Sequence, residues 1–478
     1  MRLSRREQLR KLAWRGLGWF IALILRLEAQ VRQLESRVQA LEARLACNSR
    51  NSHRPPSSDG WDKPAPKPKS LRTKTGRRPG GQPGHPGQTL QPVARPDDIQ
   101  VHRLDRCSCG LCHGRSLREE PVLGHEKRQV FELPQKPLEV TEHQAEVKRC
   151  PVSGLLVTAE FPAQVTAPAQ YGPRFRAQMV YFQTEHFLPY TRLTRISQAL
   201  YGQPLSEATV VAAQERTYVN LATFEQAVGE QLLLAASLHA DETGLRVAGR
   251  LHWLHVLSNA HLTFYGVHPK RGTEAMHEFG LLPRYRHCLV HDHLKAYFTF
   301  EQALHFLCNE HHLRELKFLA EEEHEPWAAE LSRFLLDLNQ RRKTQGVLGQ
   351  GDFKKVLAQY HALLAQGRRR HPGQEGRRAQ SKAANLLTRL EDFDLNVLGF
   401  AIFEEVPFTN NQAEQDIRMQ KVQQKVSGCF RTLHGAKVFA RIRSYISTCR
   451  KQGRHILDAL EKAVVGAPFI PSAPPAGP

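Results

Sequence analysis

Leu233-Leu-Ala-Ala-Ser-Leu-His239 is an apolar run, closed by Asp241-Glu242-Thr243-Gly244. Two further runs, Leu251-His-Trp-Leu-His-Val256 and Leu262-Thr-Phe-Tyr265, are joined across Ser258-Asn259. Short β-branched and aromatic runs bounded by turn residues read as strands. A helical stretch near 272–280 follows, then His287-Cys-Leu-Val-His291 leading into Asp292, and then Ala303-Leu-His-Phe-Leu307. Three strands, a helix, a strand, a helix and a strand predict a mixed α/β sheet. Asp241 stands at the end of the first strand and Asp292 at the end of the fourth. Adjacent strand ends can set two such carboxylates side by side, where they repel unless cations neutralise them. Glu242 is the rival to Asp241 as the functional acid of its turn.

A third acid comes from further along the chain. In Pro407-Phe-Thr-Asn-Asn-Gln-Ala-Glu-Gln-Asp-Ile-Arg-Met-Gln-Lys421, Thr409 or Asn410 caps a helix. Glu414, Ile417, Arg418 and Lys421 share one face of it at i, i+3, i+4 and i+7. A carboxylate on that face points the same way as two cations able to meet phosphates, whereas Asp416 lies on another side. Magnesium takes oxygen ligands and uses few carboxylates. Two such ions about 3.5–4 Å apart can clamp the attacking and leaving oxygens of a phosphodiester.

Charge points to the same substrate class. The 478 residues carry a net charge of +20, and 24% of them are charged. Residues 1–100 hold 20 Lys/Arg against 8 Asp/Glu, and residues 418–455 hold 10 Lys/Arg and no acid. Two basic segments around a near-neutral body read as two grips on a polyanion, nucleic acid first. An acidic disordered chain is excluded, since 41% of the residues are hydrophobic. The longest apolar run, Trp19–Leu25, is too short to span a bilayer, and no cleavage site follows it. The expectation is a cytoplasmic protein with no membrane contact.

The N-terminal third divides into modules. Phe20, Ile24, Leu27, Val31, Leu34, Val38, Leu41 and Leu45 form an uninterrupted heptad seam. Such a stripe predicts a coiled coil, with a parallel homodimer first and docking on the protein's own body as the alternative. Between Pro55 and Gln100 stand 10 Pro and 6 Gly, including Arg77-Arg78-Pro79-Gly80-Gly81, which reads as a basic extended linker, either an arm that tracks DNA phosphates or a passive tether. Cys107, Cys109 and Cys112 sit on a tight turn, and Cys150 lies 38 residues later. In a chain without an export signal this favours a tetrahedral zinc site over disulfides. Cys109, Cys112 and Cys150 are the common ligands, with Cys107, His113 or His143 as the fourth. Ser153 stands where a second knuckle cysteine would fall. Gln129-Val-Phe-Glu-Leu and Leu138-Glu-Val read as short strands. Leu193–Gly202, followed by Pro204 and a helix capped by Ser206, reads as a helix-turn-helix or another αα-hairpin.

Taken in order, these stretches resemble transposases of the insertion sequence 66 family, in the DDE group. The matching motifs are Asn48-Ser-Arg-Asn-Ser, Pro55-Pro-Ser-Ser-Asp, Arg78-Pro-Gly-Gly-Gln-Pro-Gly-His, the cysteines of 107–150, His239-Ala-Asp-Glu-Thr and His291-Asp-His-Leu-Lys-Ala-Tyr. Cys308-Asn-Glu-His-His-Leu-Arg-Glu-Leu, Thr409-Asn-Asn-Gln-Ala-Glu-Gln-Asp-Ile-Arg, Gly428-Cys-Phe-Arg-Thr and Ile446-Ser-Thr-Cys-Arg-Lys-Gln-Gly453 complete the set. The resemblance implies an RNase H-like catalytic fold with a helical insertion before the Glu-bearing helix. It also implies Mg²⁺-dependent strand cleavage and strand transfer at the ends of an insertion sequence, on double-stranded DNA. Asp241, Asp292 and Glu414 match the family's catalytic acids, and Cys308 with His311 or His312 matches a Cys/His feature beside the core.

The resulting domain expectation is a coiled coil at 1–50, a linker at 51–100 and a zinc-knuckle-like module at 101–165. A helical, DNA-binding region at 166–232 and the first part of the core at 233–309 follow. The helical insertion is at 310–405, the Glu-bearing helix and basic region at 406–464, and a tail at 465–478. Two Mg²⁺ ions would sit on the three acids and a Zn²⁺ on the cysteines. Arg77, Arg78, Arg418, Lys421, Lys425 and Arg431 would meet DNA. A catalytically inactive DNA-binding regulator and a simple nuclease remain the rival readings.

Overall fold

The computed structural model describes residues 155–372 and 381–472 continuously, and parts of 26–42 and 92–153. The chain divides into two compact units, one formed by 1–63 with 162–478 and the other by 64–161.

Strands Ser237–Val247 (β3), Arg250–Ser258 (β4) and Thr263–His268 (β5) make an antiparallel meander, and Cys288–His291 (β6) and Leu304–Leu307 (β7) extend it in parallel. The sheet order is β5-β4-β3-β6-β7. Ala248 (φ 47°) and Gly249 (φ 76°) link β3 to β4. Positive φ at both central residues is what a two-residue hairpin turn needs to match strand twist. The β4–β5 turn is closed by Asn259, whose Oδ1 accepts from the backbone N–H of His261 (2.9 Å) and Leu262 (2.8 Å).

Helices are numbered here from Pro173. Pro173–Thr184 (α1), Tyr190–Tyr201 (α2), Glu207–Asn220 (α3) and Ala222–Leu233 (α4) precede the sheet. Gly202 ends α2 at φ 65°, and Ser206 Oγ accepts from Thr209 N to cap α3. Thr273–Phe279 (α5) joins β5 to β6. Asn309–Glu321 (α6), Pro326–Gln345 (α7), Gln350–Arg370 (α8), Lys382–Asp392 (α9) and Asp394–Leu398 (α10) form the helical stretch after β7. Asn411–Ser427 (α11), Leu433–Lys451 (α12) and Ile456–Val464 (α13) complete the unit.

Period-two alternation sends β3 side chains to two faces. Leu238 and Ala240 join Leu257 and Leu289 in a core with Phe224, Val228 and Leu232 of α4 and Ile442 and Tyr445 of α12. On the opposite face Leu245 and Val247 pack with Leu254 and Val256 against Ala413 and Ile417 of α11. Val290 and Phe306 are covered by the helices after β7, where Leu331, Leu335 and Leu338 of α7 are buried. The free edge of β5 is blocked by α12: Thr448 Oγ1 accepts from Thr263 N (3.1 Å), and Ser444 Oγ from Tyr265 N (2.9 Å).

Several expectations need correcting. Leu233 is the last residue of α4, and β3 begins at Ser237 and continues to Val247, so Asp241 lies mid-strand. The run looked like a strand ending at the acid because its apolar half is the last residue of α4 and the link after it, where Leu234 is exposed, while the real strand alternates. Between β6 and β7 there is only a 3₁₀ turn, Tyr297–Thr299. In the unit 64–161, residues 129–131 and 138–140 are not strands. The flanking Pro134 and Pro137 each lack a ladder N–H. The strands there are Val147–Arg149 (β1) and Leu156–Thr158 (β2), paired antiparallel about a turn at 151–153. Arg106 and Ser116 also pair antiparallel. Cys107, Cys109, Cys112 and Cys150 lie outside the described residues, as do Arg77 and Arg78, Phe20, Ile24 and Leu45. Residues 26–35, 37–38 and 41–42 are helical, with Leu27, Val31, Leu34, Val38 and Leu41 exposed. Among the described residues no helix is long and apolar enough to cross a membrane.

Candidate active site

The parallel ladder between β3 and β6 ends at His239↔Val290. Asp241 and Asp292 are each two residues beyond that pair. Asp241 shares its face of β3 with Leu245 and Val247, the residues that pack on α11. Asp292 is turned by its own loop, its Oδ1 accepting from Leu294 N at 2.9 Å.

Asn410 anchors the start of α11 to β3. It occupies the N-cap position without a side-chain capping bond. Its Oδ1 lies 2.9 Å from His239 Nδ1, and its Nδ2 donates to Ala240 O at 2.8 Å. Its backbone N–H donates to Cys308 Sγ at 3.1 Å. These bonds hold the first turn of α11, which carries Glu414, against the strand that carries Asp241. Glu414 Oε1 is 3.3 Å from His311 Nε2 and 4.0 Å from Cys308 Sγ.

Asp241 feels the acids around it. Burial pushes the Asp241 carboxyl well above the ordinary range, and the charges of Glu242, Asp292 and Glu414 add to it. Glu414 moves the other way, held down by the hydrogen bond from His311, with Arg314 and Arg418 assisting and burial opposing. Glu242 points to the opposite face of β3. Its buried carboxylate receives Arg271 (2.7 Å) and the Tyr297 hydroxyl (2.6 Å). Burial and Asp292 lift it to about 7, against the pull of Arg271 and Tyr297. Glu242 is thus engaged by Arg271 and Tyr297, whereas Asp241 lies on the face of β3 that packs on the helix bringing Glu414.

The basic segment is only partly free. Arg441 pairs with Glu225 (2.6 Å), Lys451 with Asp416 (2.7 Å) and Lys437 with Glu278 (3.6 Å), while Arg443 and Arg450 both hold Glu185. Lys421 is partly buried and donates to Gly244 O at 3.3 Å. Arg418, Lys425 and Arg431 are exposed. Arg454 is exposed too, but its guanidinium lies 3.4 Å from the Phe469 ring centroid, so the reading of the whole stretch as one cationic grip is narrowed chiefly to Arg418, Lys425 and Arg431. The partner carboxylates lie far away in sequence, so local counting could not see them. The solvent side of α3 carries Glu207, Ala208, Val211, Ala212, Arg216 and Val219, a face with a single cation among its described residues.

In the sequence Asn410 reads as a helix cap, and Cys308 with His311 or His312 as a structural Cys/His feature implied by the resemblance. The bridge from Asn410 to β3 and the contact of His311 with Glu414 carry no sequence signal, nor does the role of Arg271 and Tyr297 at Glu242.

Residues 168–438, more than half of the chain, match a family described as the Transposase IS66 family. The match spans α1 through the first turns of α12 and contains the five-stranded sheet and all three acids. Residues 6–91 match a family of unknown function. No curated protein matches the chain.

Proposed function

The chain belongs to the IS66 transposase family, and from that premise we propose that it cuts and joins DNA at the ends of an insertion sequence through an RNase H-like DDE centre made by Asp241, Asp292 and Glu414. The observation that carries this reading is that Asn410 ties the Glu414-bearing helix to β3 through His239 and Ala240, at the end of the β3–β6 ladder beyond which Asp241 and Asp292 follow. The charges of Asp292 and Glu414 are both felt at Asp241.

The donor set fits magnesium. Three carboxylates offer hard oxygen ligands, and their mutual repulsion is the condition a divalent cation relieves. Asp241, Asp292 and Glu414 would hold two such ions. Once bound, these would favour the deprotonated form of an attacking water or 3′-hydroxyl and neutralise charge on the leaving 3′-oxygen. The chain's own part is alignment. Asn410 fixes the Glu414 helix against β3, so the acids are prepositioned before DNA arrives. Arg418, Lys425 and Arg431 are free to meet flanking phosphates, and Lys421 steadies the same helix through Gly244 O. Arg77 and Arg78 in the basic linker are proposed as further phosphate contacts.

The exposed stripe of the N-terminal helix is proposed to pair two chains, so that two element ends can be joined in one complex. Four thiolates at Cys107, Cys109, Cys112 and Cys150 suit Zn²⁺ rather than Mg²⁺, and zinc is proposed there as a structural ion. A protein working on chromosomal DNA in this way acts in the cytoplasm.

The test is strand joining of a labelled element-end fragment into target DNA with Mg²⁺. Asp292→Asn is expected to lose about 10³-fold or more in joining while still binding the fragment. Wild-type joining by that variant would refute the assignment. Cleavage without joining by the wild-type protein would make it a nuclease.

A further inference from the structure

We propose that His311 is a positioning residue for Glu414, fixing one carboxylate oxygen so that the other is presented to a divalent ion. The inference rests on the reading of Glu414 as a metal ligand and adds how that ligand is aimed.

Anchoring α11 by Asn410 settles where the backbone of Glu414 lies, but not where its carboxylate points. A Glu side chain on a half-exposed helix face has three rotatable bonds, and ordering them costs free energy. His311 supplies the missing restraint. It stands on the first turn of α6, three residues after Cys308, which precedes that helix. The turn is itself fixed from two sides. The Asn309 side chain donates to Val397 O at 3.0 Å, and its backbone N–H donates to Phe408 O at 3.1 Å. The next residue, His312, is buried against Asn309 Oδ1 at 3.3 Å. The backbone that carries the imidazole is thus fixed, only two rotatable bonds separate it from the ring, and the ring Nε2 meets Glu414 Oε1 at 3.3 Å.

The contact is one-sided. Both His311 Nε2 and Cys308 Sγ approach Oε1. Among the described residues no hydrogen bond reaches Oε2. One oxygen is thus held by the protein, and the other is left without a protein partner. Metal-ligating carboxylates are ordinarily oriented by such an outer hydrogen bond, whose loss weakens metal affinity about 10–100-fold. Cys308 Sγ already accepts the Asn410 N–H, which ties the same thiol to the anchoring of α11. The sulfur thus touches both the backbone of the helix and, at 4.0 Å, the same carboxylate oxygen, while the closer contact to that oxygen is the imidazole's.

The experiment titrates the full-length protein with Mn²⁺ and follows free ion by electron paramagnetic resonance, comparing wild type with His311→Ala, His311→Gln and Glu414→Gln. Mn²⁺ favours carboxylates and leaves the cysteine cluster aside. His311→Ala is expected to raise the Mn²⁺ dissociation constant about tenfold or more. His311→Gln, which keeps a side-chain N–H of similar reach, is expected to move it back toward wild type. In strand joining, His311→Ala should need more metal and recover when the ion is saturating, a shift that a merely structural lesion would not show. If Glu414→Gln weakens Mn²⁺ binding and His311→Ala does not, the positioning role is wrong while Glu414 remains a ligand. If Glu414→Gln binds Mn²⁺ like wild type, the metal-ligand reading fails and takes this inference with it. Thermal melting of each variant separates either result from loss of the fold, and His311→Gln carries the comparison if the alanine variant does not fold.

Discussion

Asn410 caps α11 by position and bridges two elements by side chain. Replacing it with alanine leaves Ala240 O without its buried donor and frees His239. A buried polar group left unpaired costs about 1–3 kcal/mol. Asn410→Ala is expected to lose that much in chemical denaturation and to lower strand joining by more than its stability loss accounts for, because the Glu414 helix loosens from β3. Wild-type stability and joining in this variant would remove Asn410 from the account. His255 offers a different kind of residue-level test. Burial pushes its imidazole down to about 4 from an ordinary 6.5, with His268 and Arg271 adding to the effect and the Lys270 carbonyl opposing it. A group kept neutral in the fold but protonated when unfolded costs stability as pH falls from about 6.5 to about 4. The full loss is about 3 kcal/mol. Stability curves of wild type and His255→Leu across that window should diverge, the wild type falling more steeply. Parallel curves would mean that His255 does not titrate as described.

At the scale of elements, the sheet was legible because its strands are apolar or alternating runs separated by turn chemistry. Asp292 was placed rightly just past the end of β6 and Glu414 on its helix, but Asp241 was read at a strand end and lies inside β3. The extent of β3 was not legible, because Leu233 ends α4 and Leu234 to Ala236 only link it to the strand, and an apolar run of that length does not declare its type. The contacts of α11 were not legible either, since they join residues as far apart as Ala240 and Asn410. The β3–β4 turn makes an element-level prediction. Ala248 sits at φ 47°, a left-handed conformation that costs a residue with a Cβ about 1–2 kcal/mol and that Asn adopts readily. The position is exposed. Ala248→Asn should therefore raise stability by about 1 kcal/mol and leave DNA joining unchanged. A lower melting temperature would contradict the turn assignment.

For the whole molecule, charge is the instructive quantity. A net charge of +20 was read correctly as a total and too simply as a distribution. Glu185, Glu225, Glu278 and Asp416 hold much of the C-terminal excess inside the fold, which makes that stretch a packing region with a few free cations at its rim. The N-terminal helix makes the complementary point. Val31 and Val38 alternate with Leu27, Leu34 and Leu41, so β-branched residues fall at a and leucines at d, the pattern that favours two parallel strands. Arg37 at g and Glu42 at e attract each other between chains only when the chains are parallel. Leu34→Asp is expected to convert a dimer into a monomer in sedimentation equilibrium and to abolish paired-end complexes. A dimer that survives the substitution would place self-association elsewhere.

The central claim is that Asp241, Asp292 and Glu414, distant along the chain, share divalent ions. Fe²⁺ substituted for Mg²⁺ generates hydroxyl radicals that cut the backbone beside the bound ion. Mass spectrometry of the fragments should show cleavage near all three acids, suppressed together by excess Mg²⁺. Cleavage near one acid alone, or at none, would contradict the account.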